Sequence, residues 1–169
     1  MLRIGLLSDT HSWLDPRLFD HFSKCDEIWH AGDFGDIQIS DDLSLFKPLR
    51  AVYGNIDNHE VRIVHPEHLV FTVEGLKVVL THIGGYPGHY APDAKLLIEE
   101  HRPGLFICGH SHICKVIRDE KYNLIHINPG AAGKHGLHKI RTAARFAVAG
   151  GKIKELEIIE LGNRGSIES

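Results

Sequence analysis

The 169-residue sequence predicts a single α/β domain, mixed α and β, in which two β-sheets pack together with helices outside. Three observations carry this. Over residues 1–53, short apolar runs alternate with polar loops and helix-like segments, the pattern of parallel strands with crossover helices. The second half changes to β-branched runs joined by tight turns, which read as hairpins. A composition of 43% hydrophobic and 24% charged residues is that of a soluble domain with a full-sized core.

The elements follow in order. Arg3–Ser8 is a buried strand feeding the polar stretch Asp9-Thr10-His11. Pro16–Phe22 suits a short helix with proline in its first turn. Glu27–His30 is a second strand, ending in Ala31-Gly32-Asp33. Ser40–Phe46 is helical, with Ser40 and Asp41 as candidate caps. Leu49–Tyr53 is a third strand, ending in Gly54-Asn55. Leu69–Val73 and Leu76–Thr81 form a hairpin over Glu74-Gly75. Pro92–His101 is an amphipathic helix with Ala94, Leu97 and Ile98 as its stripe. Leu105–Cys108 is a buried strand, and Cys114–Arg118 and Leu124–Asn128 flank a turn at Asp119-Glu120-Lys121. Arg145–Ala149 and Ile153–Ile159 flank Gly150-Gly151. The expected domain spans residues 1–161, and residues 162–169 read as a polar, frayed tail.

Charge and cysteine content narrow the function. A formal net charge of -3 gives no electrostatic case for bulk nucleic-acid binding. No apolar stretch is long enough to cross a bilayer, and the N-terminus lacks a signal-peptide pattern. Cys25, Cys108 and Cys114 are too few and wrongly spaced for a disulfide framework or a structural zinc site, so a cytoplasmic setting is expected. The 14 histidines stand out against 19 Lys plus Arg, and histidine is the commonest metal ligand.

The polar residues sit where strands end. Asp9 and His11 follow the first strand, Asp33 the second and Asn55 the third. His82 follows the hairpin strand, and His110 and His112 follow Leu105–Cys108. Ligands of open α/β sheets bind beyond the carboxyl ends of strands. Each of these short patterns alone is an ordinary turn or a core histidine. Seven together on five strand ends are not. Carboxylate, carboxamide and imidazole suit Mn, Fe, Zn or Ni. Glycines at 32, 54 and 109 would let the backbone turn beside the cluster.

Asp9-x-His11, Gly32-Asp33, Gly54-Asn55-x-Asp57, Thr81-His82 and Gly109-His110-Ser111-His112, with Asn128-Pro129-Gly130, resemble the calcineurin-like metallophosphoesterases, especially their small bacterial and archaeal phosphodiesterase branch. The resemblance runs from Met1 to about Ile159. It implies a four-layer αββα sandwich and two divalent ions per chain, with Mn expected and Fe, Zn or Ni as alternatives. One ion would take Asp9, His11 and His112, and the other Asn55, His82 and His110, with Asp33 shared. Asp33, Asn55, His82 and His110 would be the catalytic group around a metal-bridging hydroxide. A small phosphate ester, most simply a phosphodiester, is the implied substrate, with a phosphomonoester as the alternative. A non-enzymatic scaffold of the retromer-subunit type is the rival, and a homo-oligomer is left open. Ile56 and Gly84 stand where relatives often carry histidines, so the proton donor is undetermined. His59, His89 and His135 are candidates. His30 reads as an outer support of the site or a buried strand-end histidine. Asp57 reads as an orienting group or a helix cap. Lys134, Lys139 and Arg141 form either a basic rim or a solvated face.

Overall fold

The structure is a computed structural model that describes residues 1–165. In chain order it runs β1 (Leu2–Leu7), α1 (Arg17–His21), β2 (Glu27–His30), α2 (Ile37–Phe46), β3 (Leu49–Ala51), α3 (His59–Val64), β4 (His68–Val73), β5 (Leu76–Thr81), β6 (Gly85–Tyr86), β7 (His89–Tyr90), α4 (Pro92–His101), β8 (Leu105–Ile107), β9 (Lys115–Asp119), β10 (Leu124–Asn128), β11 (Ile140–Ala149) and β12 (Lys152–Asn163). One sheet has the order β12-β11-β1-β2-β3, the other β4-β5-β8-β10-β9, and β6 and β7 pair by themselves. The strands β1, β2 and β3 are parallel, as their crossover helices require. In the second sheet β5, β8 and β10 are parallel between antiparallel β4 and β9.

The period-two alternation of strand side chains divides the core into three layers. Ile4 and Leu6 of β1, Trp29 of β2, Val78 and Leu80 of β5, Leu105 and Ile107 of β8, and Phe146 and Val148 of β11 meet between the sheets. The other face of the first sheet, with Leu7, Ile28 and Ala51, packs on Leu18, Phe22, Ile39, Leu43 and Val61 from the segments of α1, α2 and α3. The other face of the second sheet, with Val79 and Phe106, packs on Ala94 and Ile98 of α4. Each such large apolar side chain contributes roughly 1.5–3 kcal/mol of transfer free energy. The result is the four-layer αββα sandwich. No helix among the described residues is long and apolar enough to cross a membrane.

Several boundaries differ from expectation. The helix α2 begins at Ile37, not Ser40. Asp36 caps it by accepting from the Gln38 N–H at 2.9 Å, while Ser40 lies inside, buried, with its hydroxyl 2.7 Å from His65 Nε2. Neither Ser40 nor Asp41 is the cap, because the loop through Gly35 delivers the chain to the helix one turn earlier. The strand β11 starts at Ile140, five residues before expectation, because it pairs with β12 as far as Ile140 opposite Asn163. Gly162 and Asn163, expected in the frayed tail, therefore belong to β12, and residues 166–169 lie outside the described residues.

Candidate metal centre

The loops that follow β1, β2, β3, β5 and β8 converge. Backbone bonds tie them together: Asp9 N–H to Gly32 O at 2.9 Å, His11 N–H to Asp33 O at 3.1 Å, and Gly109 N–H to His82 O at 2.9 Å. Five of the seven candidate ligands hold left-handed backbone conformations, with φ of 55° at Asp9, 44° at His11, 60° at Asp33, 70° at His110 and 62° at His112. That region costs a side-chain-bearing residue roughly 1–2 kcal/mol. Such strain persists where the surroundings over-determine it, and it concentrates at functional sites.

The side chains fall into two groups, Asp9/His11/His112 and Asp33/His82/His110, each with its ligand atoms all within 4.8 Å of one another. His112 Nε2 lies 3.2 Å from Asp9 Oδ1. Asp33 Oδ2 stands between the groups, 3.1 Å from His82 Nε2 and 3.5 Å from His11 Nε2. Asn55 Oδ1 is 3.0 Å from His110 Nδ1. All seven expected ligands are thus together. Asp9 Oδ1, His11 Nε2 and His82 Nε2 are buried without a hydrogen-bond partner. Buried polar atoms are nearly always satisfied, so three orphans facing one space fit divalent cations bound through oxygen and imidazole nitrogen.

The electrostatics agree. Burial alone would raise the Asp9 carboxyl, but His11 and His112 beside it, the charge of His82 and the Ser8 hydroxyl outweigh burial and hold it well below the usual carboxylate range. Burial would lower His82, but Asp33 and Asp9 outweigh it and raise it. His82 Nδ1 donates to the Ala31 carbonyl at 2.7 Å, which leaves the Nε2 lone pair directed at the centre.

A surrounding set of groups orients these candidate ligands. Asp9 Oδ2 accepts from the Ser8 hydroxyl at 2.6 Å and the His110 N–H at 3.1 Å, so only Oδ1 is left for the site. Asp57 accepts from the backbone N–H groups of Asp33, Gly35 and Gly54 at 2.8–3.0 Å. It is an orienting group and not a helix cap; Asn58 caps α3. His30 is fully buried; its Nε2 donates to the Thr10 hydroxyl at 3.1 Å and its Nδ1 accepts from the Gly32 N–H at 3.0 Å. It supports two ligand loops. Asn128 Nδ2 donates to Gly109 O and to the Ser111 hydroxyl, each at 3.0 Å. Of the three glycines, only Gly32 turns through a positive φ, 98°. Gly54 is required by proximity instead: a Cβ there would lie 2.0 Å from Asp33 Oδ1.

The candidate proton donors separate. His59 and His89 are exposed, and no described contact joins either to a ligand. His135 packs on His11, with ring centroids 4.8 Å apart. Sequence reasoning passed over Ser8 and His138. The His138 ring lies 5.2 Å from that of His112, and its Nε2 donates to Gly133 O at 2.8 Å. The signal for Ser8 was a small polar residue closing an apolar strand. The basic rim is incomplete: Arg141 is fully buried and pairs with Asp15 at 2.7 Å. A cleft of about 560 Å³ opens beside Asn55 and His82.

Comparison with known proteins is consistent with this geometry. Residues 2–151 match the profile of the calcineurin-like phosphoesterase superfamily domain. A protein of Methanothermobacter thermautotrophicus named probable metallophosphoesterase is 32% identical over 133 residues, covering 76% of this chain and 76% of that protein. A protein of Methanocaldococcus jannaschii named probable metallophosphoesterase MJ0623 is 31% identical over 134 residues, covering 76% of this chain and 67% of the relative. Among solved structures, a Vps29 variant from Entamoeba histolytica superposes with a TM-score of 0.73 at 15% identity, covering 95% of this chain and all (100%) of that one, which shows the shared fold. A profile match over residues 2–151, and a relative 32% identical over 133 residues, establish that this chain belongs to the calcineurin-like phosphoesterase superfamily.

Proposed function

We propose that the chain is a dinuclear metal-dependent phosphoesterase and that its substrates are phosphodiesters. The observation that carries this reading is the pair of ligand groups around Asp33, with three buried orphan atoms facing the space between them. When bound, two ions there polarise a phosphoryl oxygen and lower the pKa of water to near neutrality. Asp9, His11 and His112 would hold one ion, and Asn55, His82 and His110 the other. Asp33 Oδ2, between His11 and His82, would serve both. The left-handed backbone at Asp9, His11, Asp33, His110 and His112 holds five of these side chains in place before substrate arrives, which favours electrostatic preorganisation. Of the three candidate donors, His135 is the one with a described contact to a candidate ligand, His11, and it would serve to protonate the leaving oxygen. The cleft beside Asn55 and His82 leaves room for a second organic group on the phosphate, which supports a diester over a monoester. The complete ligand set supports an enzyme over a protein-binding scaffold.

The test is metal content and turnover together. Protein loaded with Mn is expected to hold about two ions per chain and to cleave bis(p-nitrophenyl) phosphate faster than p-nitrophenyl phosphate. A folded protein with well under one ion overturns the metal reading. Faster monoester cleavage overturns the diester reading alone.

A further inference from the structure

The cleft beside Asn55 and His82 is lined by one cationic side chain other than His82, that of Arg62, and by two carboxylates, Glu67 and Asp93, with Tyr53, Ile83 and Pro92 among its apolar walls. Arg62 is tied down at three points. Its Nε donates to the Asp57 carbonyl at 2.7 Å, its Nη2 donates to the Asn55 carbonyl at 3.3 Å, and its guanidinium lies 4.6 Å from the Tyr53 ring centroid. All three partners are electrically neutral, and Arg62 forms no ion pair among the described residues. Arg3, Arg17, Arg50, Arg141 and Arg145 pair with carboxylates, whereas Arg102, Arg118 and Arg164 share with Arg62 the lack of an ion pair among the described residues; Arg62 alone of these lines the cleft. Immobilising an arginine side chain sacrifices rotamer entropy, which a merely solvated cation has no reason to incur. Two of the five guanidinium donors are used, so the rest of this planar, oxyanion-matched fork remains available. Glu67 and Asp93 have no ion-pair or hydrogen-bond partner among the described residues. They disfavour a second anion in the cleft and accept hydrogen bonds.

Resting on the phosphoesterase reading, we infer that Arg62 is a substrate-positioning residue that holds the anionic phosphate at the mouth of this cleft. The cleft itself takes an organic group bearing hydrogen-bond donors, such as sugar hydroxyls, and rejects one that carries a further anion.

Two diesters with one leaving group separate the possibilities: thymidine 5′-(p-nitrophenyl phosphate) with a free 3′-hydroxyl, and its 3′-phosphorylated form. They are compared on Mn-loaded wild type, Arg62→Gln, Arg62→Lys and the Glu67→Gln/Asp93→Asn double variant, together with Mn stoichiometry and calorimetric binding of inorganic phosphate. Arg62→Gln is expected to keep its Mn, to weaken phosphate binding about 10–100-fold, as loss of a charged hydrogen bond does, and to raise KM more than it lowers kcat. Arg62→Lys recovers part of this. Wild type is expected to prefer the free hydroxyl, and the double variant to narrow that preference. Phosphate affinity within about twofold in Arg62→Gln, or loss of Mn from it, overturns the role of Arg62. Equal use of both diesters by wild type overturns the assigned substrate class. If wild type holds two Mn ions but binds no phosphate, this inference falls while the metal centre stands; if it holds no Mn, both fall.

Discussion

Asp33 and His11 are both candidate ligands, yet their positions set different consequences for losing them. Asp33 Oδ2 faces histidines of both groups, whereas His11 belongs to one. Asp33→Asn is therefore expected to lose both ions and His11→Ala mainly one, as read by elemental analysis. Turnover should fall by more than about 100-fold in Asp33→Asn, the upper end of what even an outer partner of a metal ligand costs. Equal metal loss in the two variants would remove Asp33 from its shared place. His30 carries a different signature. Burial pushes its imidazole down to about 3, so the folded protein keeps it neutral. The unfolded chain takes up that proton below about pH 6.5. Between these values the unfolded state binds the extra proton, so stability falls as pH falls. At pH 5 the loss from His30 alone is about 2 kcal/mol relative to neutral pH. Urea titrations of metal-free protein at pH 7 and pH 5 are expected to show a drop larger by that amount in wild type than in His30→Phe, which keeps a ring to stack on Phe34 but cannot be protonated.

The segment between β3 and α3 shows how neighbouring polar residues divide their labour. Asn58 caps a six-residue helix through the Val61 N–H. Asp57, one residue earlier, instead gathers three backbone N–H groups from the loops after β2 and β3. Asn58→Ala is expected to cost about 1 kcal/mol and to leave metal stoichiometry intact. Asp57→Ala leaves three donors without their acceptor, at roughly 1–3 kcal/mol each, and is expected to abolish Mn binding because Asp33 and Asn55 lose their alignment. Chemical denaturation with elemental analysis on both variants checks the contrast. An Asp57→Ala protein that loads Mn normally would show that the ligands hold themselves in place.

The centre joins loops from both sheets, with Asp9, Asp33 and Asn55 from one and His82, His110 and His112 from the other. Ions bound there would staple the sandwich across its central layer. Anything bound by the native state alone stabilises it, by about 4 kcal/mol at a free concentration 1,000 times Kd. For a chain of this length each kcal/mol moves Tm by roughly 2–4 °C. Saturating Mn is expected to raise Tm by about 8–16 °C, and a chelator to reverse it. A scan unmoved by Mn would show that no ion bridges the sheets. With ions absent, the cross-link between the loops of the two sheets is lost, so loosening should begin at the five loops and spare the Ile4, Trp29 and Phe146 layer.

The strand–loop–helix order of the first half, the hairpins at Glu74-Gly75 and Gly150-Gly151, and the seven candidate ligand positions at strand ends were all readable in the amino-acid sequence. Hydrophobic period and turn chemistry act over a few residues, so the chain carries them openly, and the ligand motifs together pointed to the superfamily. Other features depended on which loops meet. The left-over oxygen of Asp9 is set by a hydrogen bond from His110, 101 residues away. The role of Asp57 is set by Asp33, 24 residues away, and the true start of α2 by the loop that delivers Asp36 to it. Tertiary structure alone placed His135 on His11, buried Arg141 against Asp15 and brought Arg62 beside Asn55. Partner choice among distant polar groups is a property of the packed chain, because each group takes the donor or acceptor that folding brings within about 3 Å, and no local pattern records which one that will be.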